Sequence, residues 1–238
     1  MNTDKLEELE SNIGYIFNDK SLLAEAMSHS SYINERKINK TRCNERLEFL
    51  GDAVLEIVSS DYLFKRFKDV PEGKLSKMRA ALVCEPALYT CSKCISLGKY
   101  VKLGKGEEAG GGREKPSVIS DAFEALLGAV YLDGGMEKAS DIIHRFILTE
   151  SQIESAHISD SKSYLQELVQ ADMKNSIISY QIVSEVGPEH DKAFVVAVYI
   201  DGKKYGEGTG RNKKAAEKDA AFKAIQLIRD KAGETEKQ

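Results

Sequence analysis

No apolar run in this chain approaches the ~20 residues that a bilayer demands, and the N-terminus, MNTDKLEELE, is acidic. Cysteine is scarce: four residues, Cys43, Cys84, Cys91 and Cys94, all fall in the first half. With so few thiols and no span, the expectation is a soluble, reduced, cytoplasmic protein with no membrane partner. CSKC at 91–94 has the spacing of half a zinc site, yet no second pair or Cys/His partner stands at a matching interval. Two thiols on one turn of a helix are the simpler reading. His29, His144, His157 and His190 are scattered, which leaves no histidine cluster for a metal or a nucleophilic triad.

Strand signals are also missing, from the N-terminus to about Thr149. Apolar spacing there is helical almost throughout, with segments near 4–12, 18–28, 44–68, 74–84, 86–96, 117–133 and 136–149. Pro86 suits a first helical turn and not an interior. GKGEEAGGGREKPS, Gly104 to Ser117, reads as a flexible loop, and SQIESAHISDS, Ser151 to Ser161, as a polar linker. Beyond it the pattern changes. SKSYLQELVQADM is helical, IISYQIVSE and AFVVAVYI alternate as strands do, KKYGEGTG is a short third strand, and NKKAAEKDAAFKAIQLIRDK is a long helix. Asp201-Gly202 makes a two-residue hairpin turn between the second and third strands. Ala216, Ala220, Ala224 and Leu227 share a stripe, mostly of small residues, that lets the last helix lie close to the sheet. The expected architecture is an all-α domain over 1–150, a linker at 151–160 and an α+β domain of order α-β-β-β-α over 161–238.

What the chain does have is an odd concentration of acid. In NERLEFLGDAVLE, Asn44 to Glu56, the side chains of Glu45, Glu48, Asp52 and Glu56 fall within an arc of roughly 80° on a helix. Leu47, Phe49, Leu50, Ala53, Val54, Ile57 and Val58 cover so much of the rest that the helix should be buried. Like charges at this spacing repel, and burial aggravates the repulsion. A positive partner is needed.

SDAFEALLGAVYLDGG, Ser120 to Gly135, repeats the design: Asp121 and Glu124 are the only charges in three turns. Gly51 and Gly128 flank the acids. An interior glycine costs a helix about 1 kcal/mol relative to alanine, so a close crossing of the two helices is expected there. It would gather Glu48, Asp52, Asp121 and Glu124 into an oxygen cage suited to Mg²⁺ or Mn²⁺. Salt bridges to Arg46 or Lys77 are the competing fate of these acids; two acid pairs on two buried helices favour the metal. Redox di-iron chemistry normally adds Glu-x-x-His, and Glu124 stands where that histidine would be. Carboxylate-bound magnesium most often serves phosphate chemistry.

A net charge of −4 argues against a nucleic-acid partner only on average. In GEGTGRNKKAAEKDAA, Arg211, Lys213, Lys214 and Lys218 converge on a helix start, where the dipole already attracts anions. With the loop GPEHDK and polar Gln166, Glu167 and Gln170 on the first helix, this surface can span two minor grooves and the phosphates between them, as duplex RNA requires. No aromatic platform for single strands is evident.

NERLEFLGDAVL is similar to the signature of bacterial ribonuclease III, and SHSSYINE, EGKLSKMRAALV, GGREKPSVISDAFEALLGAVYLDGG and the C-terminal module extend the resemblance over nearly the whole chain. The resemblance implies an endonuclease domain that forms a homodimer, tethered to a double-stranded RNA-binding module. It implies that Glu48, Asp52, Asp121 and Glu124 hold Mg²⁺, with Asp52 and Glu124 central to catalysis, and that RNA is cut to 5′-phosphate and 3′-hydroxyl ends during processing of rRNA precursors and other structured transcripts. Glu45 and Glu72 match accessory acidic positions. Gln166 and His190 would meet minor grooves while Lys213, Lys214 and Lys218 hold phosphates. Gly110 and Asn212 depart from the serine, or serine or threonine, of many relatives; Asn212 remains a good helix cap. Two other readings are a duplex-binding regulator, which would be expected to have lost a ligand, and an all-α magnesium nucleotide pyrophosphohydrolase, which has no use for a duplex-binding module.

Overall fold

A computed structural model describes residues 3–37, 39–159, 161–172, 176–186 and 192–235. Two compact units, Met1–Ile153 and Glu154–Gln238, divide the chain.

The first unit is built of helices: α1 (Thr3–Ile13), α2 (Lys20–Ala26), α3 (Ser30–Glu35), α4 (Glu45–Arg66), α5 (Glu72–Val83), α6 (Glu85–Cys94), α7 (Lys105–Ala109) and α8 (Pro116–Phe146). Local chemistry sets their starts. Asp19 accepts the amide of Ser21 at 2.8 Å to cap α2, and Pro86 and Pro116 lie in the first turns of α6 and α8. The middle of α8, from Ala122 through Val130 with Glu124 excepted, is buried, so this helix is the axle of the unit. Leu47, Val54, Leu55 and Val58 of α4 are buried with it.

The sequence predicts two helices across this span, 117–133 and 136–149, and α8 carries the break between them. The break falls at Gly135, whose φ of 77° and ψ of −178° are non-helical and belong to glycine alone, so a kink divides α8 into the two helices expected. Gly104–Ser117, expected as a flexible loop, holds α7 and a short 3-10 turn at Gly112–Glu114. Arg113 organises it: Nη1 donates to the carbonyls of Gly98 and Val101 at 2.8 and 2.9 Å, while Nε and Nη2 grip Glu108 at 2.5 and 2.7 Å. The stretch expected as a linker contains a helix, α9 (Glu150–Ser159). Its first turn is fixed by a two-pronged Arg66–Glu150 pair at 2.7 and 2.6 Å and by Gln152, which donates to Cys91 Sγ at 2.9 Å. The first unit also contains one isolated parallel bridge, Ser28 to Lys102, despite its helical pattern.

Burial of α4 differs from expectation too. Phe49, Ile57 and Phe64 are 81%, 57% and 72% exposed, so one apolar strip of this helix faces outward.

The second unit runs α10 (Ser161–Asp172), β1 (Ile178–Val186), β2 (Ala193–Ile200), β3 (Lys203–Gly210), α11 (Lys213–Thr235), with an antiparallel sheet in the order β1-β2-β3. Asp201 and Gly202 both have positive φ, 49° and 78°, the signature of a hairpin turn whose twist matches its strands. Both helices pack on the sheet through Leu165, Val169, Val198, Ile200, Ala220, Ala224 and Ile225. Gly206, Gly208 and Gly210, alternate residues of β3, lie so near the α11 backbone around Ala216, Ala220 and Ala224 that none has room for a Cβ. The alanine stripe works as expected, except that Leu227 at its far end is 36% exposed.

Candidate metal centre and nucleic-acid interface

The acidic cluster begins as a backbone contact. A Cβ on Gly51 of α4 would collide with the carbonyl of Glu124 on α8, and one on Gly128 would collide with the carbonyl of Leu47 and stand 3.1 Å from the Gly51 amide. The helices therefore touch main chain to main chain. Glu48 lies three residues before Gly51, and Asp121 and Glu124 lie seven and four before Gly128. Helical side chains lean toward the N-terminus, so these acids project beside the contact.

One carboxylate oxygen from each of Glu48, Asp121 and Glu124 lies within 4.8 Å of the other two. All three residues are half-buried. Among the described residues no ion pair reaches them or Asp52. Burial, with the charges of Asp52, Glu48 and Asp121, pushes the Glu124 carboxyl up to about 8. Burial and the neighbouring charges of Asp121, Glu45 and Asp52 raise Glu48 as well. Asp121 is raised by burial and by Glu85, and His29 partly offsets this. Asp52 is exposed and outside the trio, but its charge is the largest felt by Glu124 after burial. Crowded oxygen donors with raised pKa values, in no ion pair among the described residues, suit a hard divalent metal.

The fourth acid of the NERLEFLGDAVLE stripe has another fate. Glu56 is paired with Arg79 at 2.6 Å, the ordinary salt bridge weighed for all of them. Glu45 is exposed and lines a hollow of about 230 Å³ with Ser30, Ile33, Asn34 and Cys43. Glu72 is not in the trio; it accepts from Ser76 Oγ at 2.7 Å and lines an apolar groove with Ile57, Leu63, Phe64 and Leu75. Sequence reasoning missed His29. Its Nδ1 is 2.8 Å from Ser31 Oγ and accepts the Ser31 amide at 3.3 Å, and SHSSYINE was the available signal.

In the second unit Gln166 is exposed on α10 and lines a hollow of about 490 Å³ with Lys162, Ser163, Gln170, Ser176 and Tyr180. Lys213 and Lys214 open α11 and are exposed; Lys218, one turn on, is half-buried. Asn212 Oδ1 accepts the Ala215 amide at 2.9 Å, the cap its position implied. His190 and its loop lie outside the described residues.

Residues 19–151 match the family model described as Ribonuclease-III-like, and residues 161–228 the double-stranded RNA binding motif. The chain is 47% identical over 224 residues to Ribonuclease 3 of Listeria monocytogenes serotype 4a, covering 93% of this chain and 97% of that protein. It is likewise 47% identical over 224 residues to Ribonuclease 3 of Oceanobacillus iheyensis, covering 94% and 98%. Among solved structures, the nuclease domain of ribonuclease III from Campylobacter jejuni, reported for flexibility in a region involved in dimer formation, matches with a TM-score of 0.56 at 46% identity, over 60% of this chain and 95% of that one.

Proposed function

Because the chain belongs to the ribonuclease III family, whose members hydrolyse double-stranded RNA with the help of a metal ion, we propose that Glu48, Asp52, Asp121 and Glu124 form its catalytic centre and that Mg²⁺ is the ion. The observation that carries this reading is the trio within 4.8 Å at a glycine-to-glycine helix crossing, in no ion pair among the described residues. Mn²⁺ satisfies the same hard donor set.

Held by these carboxylates, magnesium would supply an activated water and charge neutralisation at the leaving 3′ oxygen, which would leave 5′-phosphate and 3′-hydroxyl ends. The chain's own part is to hold the oxygens and manage their protons. Glu124, whose carboxyl is pushed up to about 8 by burial and the neighbouring acids, would release its proton on binding the cation. Buried Ala122, Phe123, Ala125 and Leu127 close α8 beneath the acids and keep water to one side. Asp52 stands at the exposed edge, where the RNA backbone arrives. Glu45 acts through its charge on Glu48. Gln166 and His190 meet the minor groove, and Lys213, Lys214 and Lys218 hold phosphates at a helix start that favours anions.

The active form is a homodimer through the first unit. Support comes from the outward strip of Phe49, Ile57 and Phe64 beside the groove of about 460 Å³ that Glu72 lines. A duplex has two strands of opposite polarity, and a two-fold pair of centres matches them. Mixed dimers of one intact chain and one Glu124→Gln chain, under single-turnover conditions with Mg²⁺, should nick one strand. Double-strand cuts would overturn the two-centre arrangement, and cleavage by the fully substituted dimer at the parent rate would overturn the site itself.

A further inference from the structure

SHSSYINE has no role in the centre described above, yet the fold ties it to that centre. The residue before α3, His29, is near enough to Asp121 for its charge to be felt there. Its segment is clamped on both sides. Lys102 donates its amide to the Met27 carbonyl at 2.7 Å and accepts the His29 amide at 3.2 Å, while Asn44, entering α4, donates its amide to Ser28 at 2.9 Å. From His29 the chain runs through α3 to its C-cap, Arg36, which lies four residues after Tyr32 and donates its amide to the Tyr32 carbonyl.

Two cations converge on Tyr32. The Arg36 guanidinium lies 4.7 Å from the centre of the Tyr32 ring, and Lys102 Nζ lies 5.7 Å from it. Neither has a carboxylate partner among the described residues. Glu35, the nearest acid in sequence, is turned away to accept the Lys105 amide at 2.6 Å. Lys102 is half-buried, and its Nζ reaches only the Ala24 carbonyl and Ser28 Oγ, at 3.5 and 3.4 Å. Burial and the charge of Arg36 both lower its pKa. Two like charges on one ring, one of them partly desolvated, would both be relieved by an anion between them. Arg36 is seven residues beyond His29, about 10 Å along the helical rise. A duplex engaged at the acidic centre carries phosphates at that separation, about one per 1.7 Å of axis in double-stranded DNA.

We propose that Arg36 and Lys102, organised by the Tyr32 ring, bind a backbone phosphate of the duplex beside the catalytic centre, giving the nuclease unit its own RNA contact separate from the second unit. This rests on the double-stranded RNA reading and adds a residue-level path for the strand. The second unit's lysines hold the duplex, and this contact sets where along it the acids act.

The test measures duplex RNA affinity of the full chain against salt, with Ca²⁺ in place of Mg²⁺ to limit turnover. Arg36→Gln should flatten the log–log slope by about one unit and weaken binding several-fold at moderate salt. Arg36→Lys should restore most of the slope. Combination with Lys213→Ala and Lys214→Ala should add to their effect, as separate phosphates require. Lys138→Gln, an exposed lysine with only long contacts of 3.8 and 3.9 Å to Asp141 and Glu137, controls for overall charge. An Arg36→Gln slope equal to that of the parent, or flattened no more than by Lys138→Gln, would overturn the proposal while leaving the family reading intact. Failure of the parent to bind duplex RNA at all would overturn both.

Discussion

In the first unit Glu48, Asp121 and Glu124 crowd within 4.8 Å of one another and form no ion pair among the described residues, whereas in the second unit the half-buried acids Glu217 and Asp219 each face a lysine, Lys162 at 2.6 Å and Lys223 at 3.0 Å. The contrast is not one of composition. Acids elsewhere in the first unit are paired as well: Glu10 with Lys20, Glu56 with Arg79, Glu150 with Arg66. Among the described residues the crossing of α4 and α8 is where half-buried carboxylates crowd together without an ion pair, an arrangement suited to an external cation. The second unit has the opposite surplus, exposed lysines at the start of α11, and exposure spares them the cost of burial. Under the proposed function, the site for chemistry is marked by crowded like charge, and the site for holding a polyanion by solvated charge that water already satisfies.

The comparison breaks if binding and chemistry cannot be separated. Glu124→Gln should lower Mg²⁺-dependent cleavage by ~10²–10³-fold or more while RNA affinity in Ca²⁺ stays within a few-fold. Parallel gel-shift and single-turnover measurements decide it, and joint loss of both would refute the division of labour. Next in size is Gly51→Ala. The added methyl meets the Glu124 carbonyl, so the helices must part, at a cost of about 2–4 kcal/mol in thermal or denaturant unfolding, with metal affinity falling alongside. Lys213→Ala with Lys214→Ala should flatten the salt dependence of binding by about one to two log–log units. An unchanged slope would mean that the cluster does not touch the backbone.

The smallest effect sharpens the comparison through pH. Glu124 has a folded pKa of about 8 against an ordinary 4.5, so the metal-free fold binds its proton more tightly than the unfolded chain does. Its contribution to stability is full below the unfolded value and is lost as pH rises through about 8. Metal-free protein should therefore melt lower above pH 8 than near pH 5 by an amount worth about 1–2 kcal/mol, after discounting for partial exposure. Glu124→Gln should remove much of that difference, and Mg²⁺ should offset it. A melting curve that Glu124→Gln leaves equally pH-dependent would show that the strain lies elsewhere.

The carboxylate trio was legible in the sequence because its signal is local: Asp121 and Glu124 interrupt an otherwise apolar helix, and glycines stand beside the acids on both helices. The α-β-β-β-α order was legible for the same reason, since alternation and the Asp201-Gly202 turn are short-range patterns. What escaped depends on contacts between distant residues. Arg113 turns a glycine-rich stretch into ordered structure by reaching the carbonyls of Gly98 and Val101. The first turn of α9 is fixed by Arg66 and Cys91, both more than sixty residues away in sequence. The exposure of Phe49 and Phe64 was hidden because periodicity says that a residue is apolar and not what covers it. His29 gave little sign of its place because its neighbour Asp121 is remote in sequence.

The glycine crossing has a further consequence for how the centre keeps its dimensions. Where side chains meet, a helix pair can slip by a fraction of a turn and repack. Here Gly51 and Gly128 act as a detent. Sliding α8 by one turn, about 5.4 Å, would bring Glu124 or Leu132 opposite the Leu47 carbonyl, and neither can approach so closely. The spacing of the acids is therefore indexed by main chain, and ordinary drift in the surrounding core leaves it unchanged.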